Sequence, residues 1–182
     1  MTSKNPADTR REPMDVAAIR RKAAQNVEDG AVPSGYQGDR VEILEMLNDA
    51  LATELVCVLR YRRHYHMASG LVNEPIRAEF LEHAVQEEQH ATQLAERIVQ
   101  LNGEPDFNPA TLTSRSHAEY DDANDIKGMI RANLIAERIA IESYRQMIER
   151  IGDTDPTTRN LLVSIMAVEE EHADDMADLL AL

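Results

Sequence analysis

The chain has one cysteine, Cys57, in 182 residues. A lone thiol cannot close a disulfide within the chain, and no Cys-x-x-Cys pair is there to hold zinc or a rubredoxin-type iron. The expected compartment is the cytoplasm. Tryptophan is absent, phenylalanine occurs twice, and glycine and proline seven times each. So few aromatics and turn-formers argue against a β-sandwich and suit long helices with aliphatic cores. No run of 18 apolar residues occurs, so no segment is expected to span a membrane. The polar N-terminus, MTSKNPADTRREPMDV, lacks the apolar centre of a signal peptide. Positive charge is scarce as well, with 19 Lys and Arg against 33 Asp and Glu and a formal net charge of −14. Such a body repels phosphate backbones and attracts cations.

Residues 1–38 read as an extension punctuated by Pro6, Pro13, Pro33 and Gly35. It is expected to be partly flexible or packed on neighbouring subunits, with a short helix at about 13–27 anchored by Met14, Val16 and Ile19. Its basic residues Lys4, Arg10, Arg11, Arg20, Arg21 and Lys22 offer a second reading, a tail that binds nucleic acid. Residues 39–182 form one domain with four long helical patterns, at about 40–69, 75–102, 123–151 and 156–182. Gly70, Gly103 and Gly152 stop the first three, and Pro75 and Pro156 suit first turns. Short connections make the first two helices one antiparallel hairpin and the last two another. About 20 residues lie between Gly103 and Asp122, and extended they reach ~65 Å, more than the ~40 Å of a 27-residue helix. The segment can therefore travel the length of a bundle. An all-α, antiparallel four-helix bundle with one long crossover between its second and third helices follows.

The two hairpins repeat one another. The first long helix carries Leu47, Leu51, Glu54, Val58 and Tyr61, and the third carries Ile130, Leu134, Glu137, Ile141 and Tyr144 at the same spacing. The second carries Phe80, Ala84, Glu87, His90, Ala91, Leu94 and Ile98. The fourth repeats that set 82 residues later as Leu162, Met166, Glu169, His172, Ala173, Met176 and Leu180. Each hairpin thus supplies one Glu and then a Glu-x-x-His.

Residues three apart share a helix face, so Glu87 with His90, and Glu169 with His172, can address one ion. With Glu54 and Glu137 they make six candidate metal-ligating and catalytic side chains at one level of the bundle. Carboxylate and imidazole ligands suit iron, and manganese or zinc can replace it. Four carboxylates match the charge of two divalent ions, whereas without metal they would take up protons in an apolar seam. A lone seam glutamate is usually a half-exposed flank, and one Glu-x-x-His is common by chance. The repetition separates this chain from that case.

The remaining candidates read more plainly. His64 and His66 are expected to be solvated near a helix end, and Glu82 with His83 to be a surface pair, the alternative being contact with iron on the inner surface of a shell. Glu88, Glu170 and Glu171 should face solvent or a cavity. Tyr61 and Tyr144 are expected either near the metals, as hydrogen-bond donors or redox buffers, or in the core with a hydroxyl partner. Cys57 should be a small buried residue.

Through Ala52-Thr-Glu54-Leu-Val with Tyr61, Glu87-x-x-His90, Asn133-Leu-Ile-Ala-Glu137 and Glu169-Glu-Glu-His172, residues 40–180 resemble bacterioferritins and the related Dps-like ferritins. The resemblance implies a ferroxidase that oxidises Fe(II) with dioxygen or hydrogen peroxide and stores or detoxifies iron in a homo-oligomeric shell. It implies two iron ions per subunit, with Glu54 and Glu137 as terminal ligands, Glu87 and Glu169 as bridges, and His90 and His172 each capping one iron. Glu88 stands where haem-binding bacterioferritins carry a methionine, so haem is not expected. Ten residues follow His172, too few for the fifth helix of 24-subunit shells, and a 12-subunit Dps-like shell is expected instead. Two alternatives stay open: a non-storage di-iron oxygenase or peroxidase like rubrerythrin, and a Dps-like protector of DNA.

Overall fold

Helix ends are set by side chains that satisfy the first free amides. Asp39 accepts from the amide of Glu42 at 3.2 Å, Asp125 from that of Gly128 at 2.9 Å, and Asp155 from that of Thr158 at 3.0 Å. The computed structural model describes residues 14–70 and 73–181. Among them it forms α1 (Val16–Ala23), α2 (Arg40–Met67), α3 (Glu74–Gln100), α4 (Leu112–Arg115), α5 (Ile126–Ile151) and α6 (Pro156–Ala181), with a 3₁₀ turn at Val27–Asp29 and no strand. The four long helices are the four patterns expected, and the described residues form an all-helical four-helix bundle. α5 starts later than the expected residue 123. Its approach is held extended instead, with Arg63 donating to the Ala123 carbonyl at 2.7 Å and to Asn124 Oδ1 at 2.9 Å, until Asp125 caps the helix.

Contacts divide the chain into one unit at Met1–Gly35 and another at Tyr36–Leu182. In the first, α1 is capped by Asp15 and buries none of its residues, and Met14, Val16 and Ile19 are exposed. It is shorter than the helix expected at about 13–27. Lys4, Arg10 and Arg11 of the basic tail lie outside the described residues.

The second unit is the bundle. α2 and α3 are antiparallel, for Glu54 meets His90, Tyr61 meets His83 and Tyr65 meets Arg77. α2 and α5 are antiparallel too: Arg60 pairs with Asn133, Tyr144 with Glu54, and Arg150 with Glu42. α3 therefore runs parallel to α5, and the crossover must return along the bundle. It does so on α2, progressing from Asp106 at Asn48, through His117 at Thr53, to Glu119 at Arg60 and Ala123 at Arg63. Its short α4 is fixed by Arg115, which donates to the Asn48 carbonyl at 2.8 Å.

The seams form the core. Leu47, Leu51, Phe80, Leu94, Ile98, Met129, Ile130 and Leu162 are fully buried, each worth ~1.5–3 kcal/mol relative to exposure. At the end of the bundle, Asp155 is buried among Arg97, Thr158 and Tyr36. That cluster ties the start of α6 to α3 and to the first residue of the unit. Among the described residues no helix is long and apolar enough to cross a membrane.

Candidate metal centre

Halfway along the bundle the seams change from apolar to ionisable. Glu54 from α2, Glu87 and His90 from α3, Glu137 from α5, and Glu169 and His172 from α6 are all at most 5% exposed. They converge in two overlapping sets. Glu54, Glu87, His90 and Glu169 can offer atoms within 4.8 Å of one another, and so can Glu87, Glu137, Glu169 and His172. Glu87 and Glu169 belong to both sets, while each remaining Glu and His pair belongs to one.

The inward atoms lack hydrogen-bond partners. Glu54 Oε2, Glu137 Oε2, both oxygens of Glu87 and of Glu169, and Nδ1 of His90 and His172 are all buried in this state. His90 Nδ1 lies 2.8 Å from Glu169 Oε1, yet the approach lacks hydrogen-bond alignment, so proximity there is crowding. A buried unsatisfied oxygen or nitrogen costs ~1–3 kcal/mol, more when charged, and a cluster of them at one point is what cations relieve. The donors are hard oxygens and imidazole nitrogens, a set that fits two divalent first-row ions.

The outer atoms, in contrast, are tied. Tyr144 on α5 donates to Glu54 Oε1, and Tyr61 on α2 donates to Glu137 Oε1 at 2.5 Å. Each tyrosine thus fixes the partner hairpin's glutamate by one oxygen and leaves the other facing inward. His172 Nε2 lies 2.6 Å from Gln86 Oε1, a carbonyl oxygen that can only accept. That contact places the proton on Nε2 and the lone pair of Nδ1 toward the centre. Arg60 breaks the symmetry. Fully buried, it donates to Asn133 Oδ1 at 2.8 Å and to the Glu119 carbonyl at 3.3 Å, and its Nη2 lies 3.9 Å from Glu137 Oε1.

Crowding sets the protonation of these groups. Burial, then the Glu87 charge, pushes Glu54 up to about 8. Burial, then Glu87 and Glu169, pushes Glu137 well above the carboxylate range. Burial by itself would lower both histidines, but Glu169, Glu54 and Glu87 raise His90 to about 12, and Glu169 and Glu87 raise His172 to about 10. Burial and Glu169 act to raise Glu87, yet Glu54, His172 and His90 hold it below its ordinary value. Burial and the adjacent carboxylates also raise Tyr61 and Tyr144, which stay phenols.

A pH dependence follows. At pH 7 Glu54, Glu137, His90 and His172 hold protons in the metal-free protein, and two divalent ions displace them. Zn(II) loading should release more protons per subunit at pH 7 than at pH 9, where Glu54 has already ionised. The native chain binds more protons than the unfolded chain between 4.5 and about 8 at Glu54, and from 6.5 up to about 10 and 12 at the histidines. Metal-free stability is therefore lost as pH rises through those windows. Proton release in a pH-stat and melting with and without Zn(II) at pH 5.5 and 9 check both. Metal-free melting points that rise over that range contradict the assignment.

Two expectations from the sequence are corrected. His64 is fully buried, its Nδ1 3.3 Å from Asn133 Oδ1, and burial with the Arg60 charge lowers it to about 4. His83 is 1% exposed, not part of a surface pair, with Nδ1 3.1 Å from the Tyr61 hydroxyl and its ring stacked 3.9 Å from that of His172. Burial, then His172, lowers it to about 4. Both lay on legible stripes, Glu54-Cys57-Tyr61-His64 and Phe80-His83-Glu87-His90-Leu94, at alternating steps of three and four. Arg60 and Gln86 carried no comparable signal. His66, Glu82, Glu88, Glu170 and Glu171 are exposed. Cys57 is buried against Arg60, and burial raises its thiol well above the ordinary value.

Residues 44–182 match the family described as Ferritin, ferritin-like domain. The chain is 30% identical over 146 residues to the bacterioferritin of Brucella melitensis, across 77% of this chain and 85% of that protein. It is 30% identical over 145 residues to the nutrient stress-induced DNA-binding protein of a Synechococcus strain, across 77% and 81%. A dodecameric thioferritin, the bacterioferritin-related protein of Bacteroides fragilis, superposes with a TM-score of 0.76 at 31% identity over 80% of this chain and 88% of that one. Dps from Thermosynechococcus elongatus has the same fold, with a TM-score of 0.74 at 21% identity over 78% and 92%.

Proposed function

This chain belongs to the ferritin-like domain family, and on that premise we propose that it is a cytoplasmic ferroxidase that oxidises Fe(II) and stores or detoxifies the product within a homo-oligomeric shell. The observation that carries the reading is the pair of ligand sets sharing Glu87 and Glu169, with every inward oxygen and nitrogen unpartnered. Two Fe(II) ions are the substrate. Each gives up one electron, so a pair converts one hydrogen peroxide and two protons to two waters, or one dioxygen and two protons to one hydrogen peroxide.

The protein's own part is placement. Glu54 and His90 hold one ion, Glu137 and His172 the other, and Glu87 and Glu169 span both. Tyr144, Tyr61 and Gln86 keep the free atoms of Glu54, Glu137 and His172 turned inward, so little reorganisation accompanies binding. Manganese and zinc suit the same donors. The dodecameric Bacteroides relative supports a 12-subunit shell.

Anaerobic Fe(II) titration of the metal-free protein, then oxidant, with size-exclusion mass on the same sample, tests the reading. Two irons per subunit, rapid oxidation and further iron retained in a large shell are expected. Two irons without further loading, in a monomer or dimer, would instead mark a non-storage oxygenase or peroxidase, and no stoichiometric binding would remove the centre altogether.

DNA protection is a second reading, supported by the Synechococcus relative's name. It would use Lys4, Arg10, Arg11, Arg20, Arg21 and Lys22, of which the last three are exposed on α1. DNA retention that persists after deletion of residues 1–22 would sink that route.

A further inference from the structure

Beside the six-residue centre lies a second group of ligand-type side chains. Glu79 and His83 on α3 and Asp175 on α6 bring one atom each within 4.8 Å of the others. His83 is buried, whereas the Glu79 and Asp175 side chains are 34% and 51% exposed. Both carboxylates also line an open concavity with Asp178, Leu179 and Ala181. The group therefore reaches from solvent to the wall of the centre, where the His83 ring stacks on His172.

Hydrogen bonding fixes the His83 tautomer. The Tyr61 hydroxyl has one proton and donates it to Glu137. Its oxygen, 3.1 Å from His83 Nδ1, can then only accept, so Nδ1 carries the proton. The lone pair of the neutral ring lies on Nε2, which points at Asp175 Oδ2 at 3.4 Å and Glu79 Oε1 at 3.7 Å. Both distances exceed the roughly 3.2 Å of a well-formed N–H···O bond. A lone pair aimed at two carboxylates repels them, and a cation held between the three groups relieves that repulsion.

We propose that Glu79, His83 and Asp175 form a third site, for a divalent transition-metal cation, from which Fe(II) is passed to the buried centre. One imidazole nitrogen and two carboxylates, with water completing the shell on the exposed side, suit Fe(II), Mn(II), Co(II) or Zn(II). The exposed carboxylates exchange ions readily, and stacked His83 and His172 make the outer and inner positions neighbours. The passing-on rests on the ferroxidase reading given above, while the site itself does not.

The test uses Co(II), which is not oxidised under these conditions, and the variant Glu79→Gln/Asp175→Asn, whose substitutions are exposed and leave the ligands of the centre untouched. Anomalous diffraction from Co(II)-soaked crystals of the full chain should show three positions per subunit, and two in the variant. Initial Fe(II) oxidation by the variant should slow about tenfold, with the same two irons per subunit at completion. Cobalt in the six-residue centre but absent from Glu79, His83 and Asp175 overturns the third site. Cobalt there with an unchanged oxidation rate in the variant overturns the transfer. Cobalt at the third site alone refutes the buried centre and leaves the outer site standing.

Discussion

Glu137→Gln and Glu54→Gln should each slow rapid Fe(II) oxidation by about 100-fold or more while leaving the metal-free fold intact. The two effects separate because the native acids are already neutral without metal. Burial and the neighbouring carboxylates raise Glu54 to about 8 and hold Glu137 well above the ordinary carboxylate range. Glutamine copies the shape of the protonated acid and keeps the carbonyl oxygen to which Tyr144 or Tyr61 donates. Metal-free melting should therefore move by no more than about 4 °C, the equivalent of roughly 1 kcal/mol in a chain of this size. It cannot supply a negative oxygen in place of the unpartnered Oε2, so its own ion is lost while the other set keeps its four residues. Stopped-flow oxidation, Zn(II) stoichiometry and melting on the same samples decide the matter. One Zn(II) per subunit with parent-like melting is the expected pattern. Parent-like oxidation in both variants would mean that neither glutamate holds iron.

Asp155→Ala should destabilise the protein by about 3–5 kcal/mol, the cost of leaving a buried guanidinium without its partner. Arg97 Nη2 lies 3.0 Å from both Asp155 oxygens, and the two residues are 8% and 2% exposed. Asp155 also accepts from the Thr158 amide at 3.0 Å, the Thr158 hydroxyl at 2.5 Å and Tyr36 at 2.7 Å. Burial acts to raise its pKa, but Thr158, Tyr36 and Arg97 together hold it below the ordinary carboxylate value. It is therefore ionised at neutral pH, and its contribution is lost only as pH falls through that depressed value. The melting point should drop by roughly 6–20 °C. Arg97→Met combined with Asp155→Ala should recover part of the loss, since the stranded charge is then gone. A double variant no more stable than Asp155→Ala would show that capping of α6, and not the buried pair, dominates.

Much of this was legible from spacing. The alternating steps of four and three placed Glu54 and Glu137 inside apolar seams. Each Glu-x-x-His put two donors on one helix face, and the offset of 82 showed the pattern to be doubled. The length between Gly103 and Asp122 implied a crossover, and the crossover runs along α2 as that length required. Helical periodicity reports the face on which a residue lies because a 3.6-residue turn repeats it. Those features are local, so the sequence determined four helices, their pairing into hairpins and the residues able to meet at one level.

Partners across helices are a different quantity, and only the tertiary structure decided them. Periodicity could not say that Tyr61 serves Glu137 and Tyr144 serves Glu54, each on the other hairpin. Nor could it say that Arg60 is fully buried beside Asn133, or that His64 and His83, although on legible stripes, meet Asn133 and the Tyr61 hydroxyl. The width of a buried stripe depends on how closely neighbouring helices approach, and a single helix's spacing does not contain that distance. Glu79, His83 and Asp175 illustrate the division: two share a face four residues apart on α3, and the third arrives from α6 because the bundle packs it there.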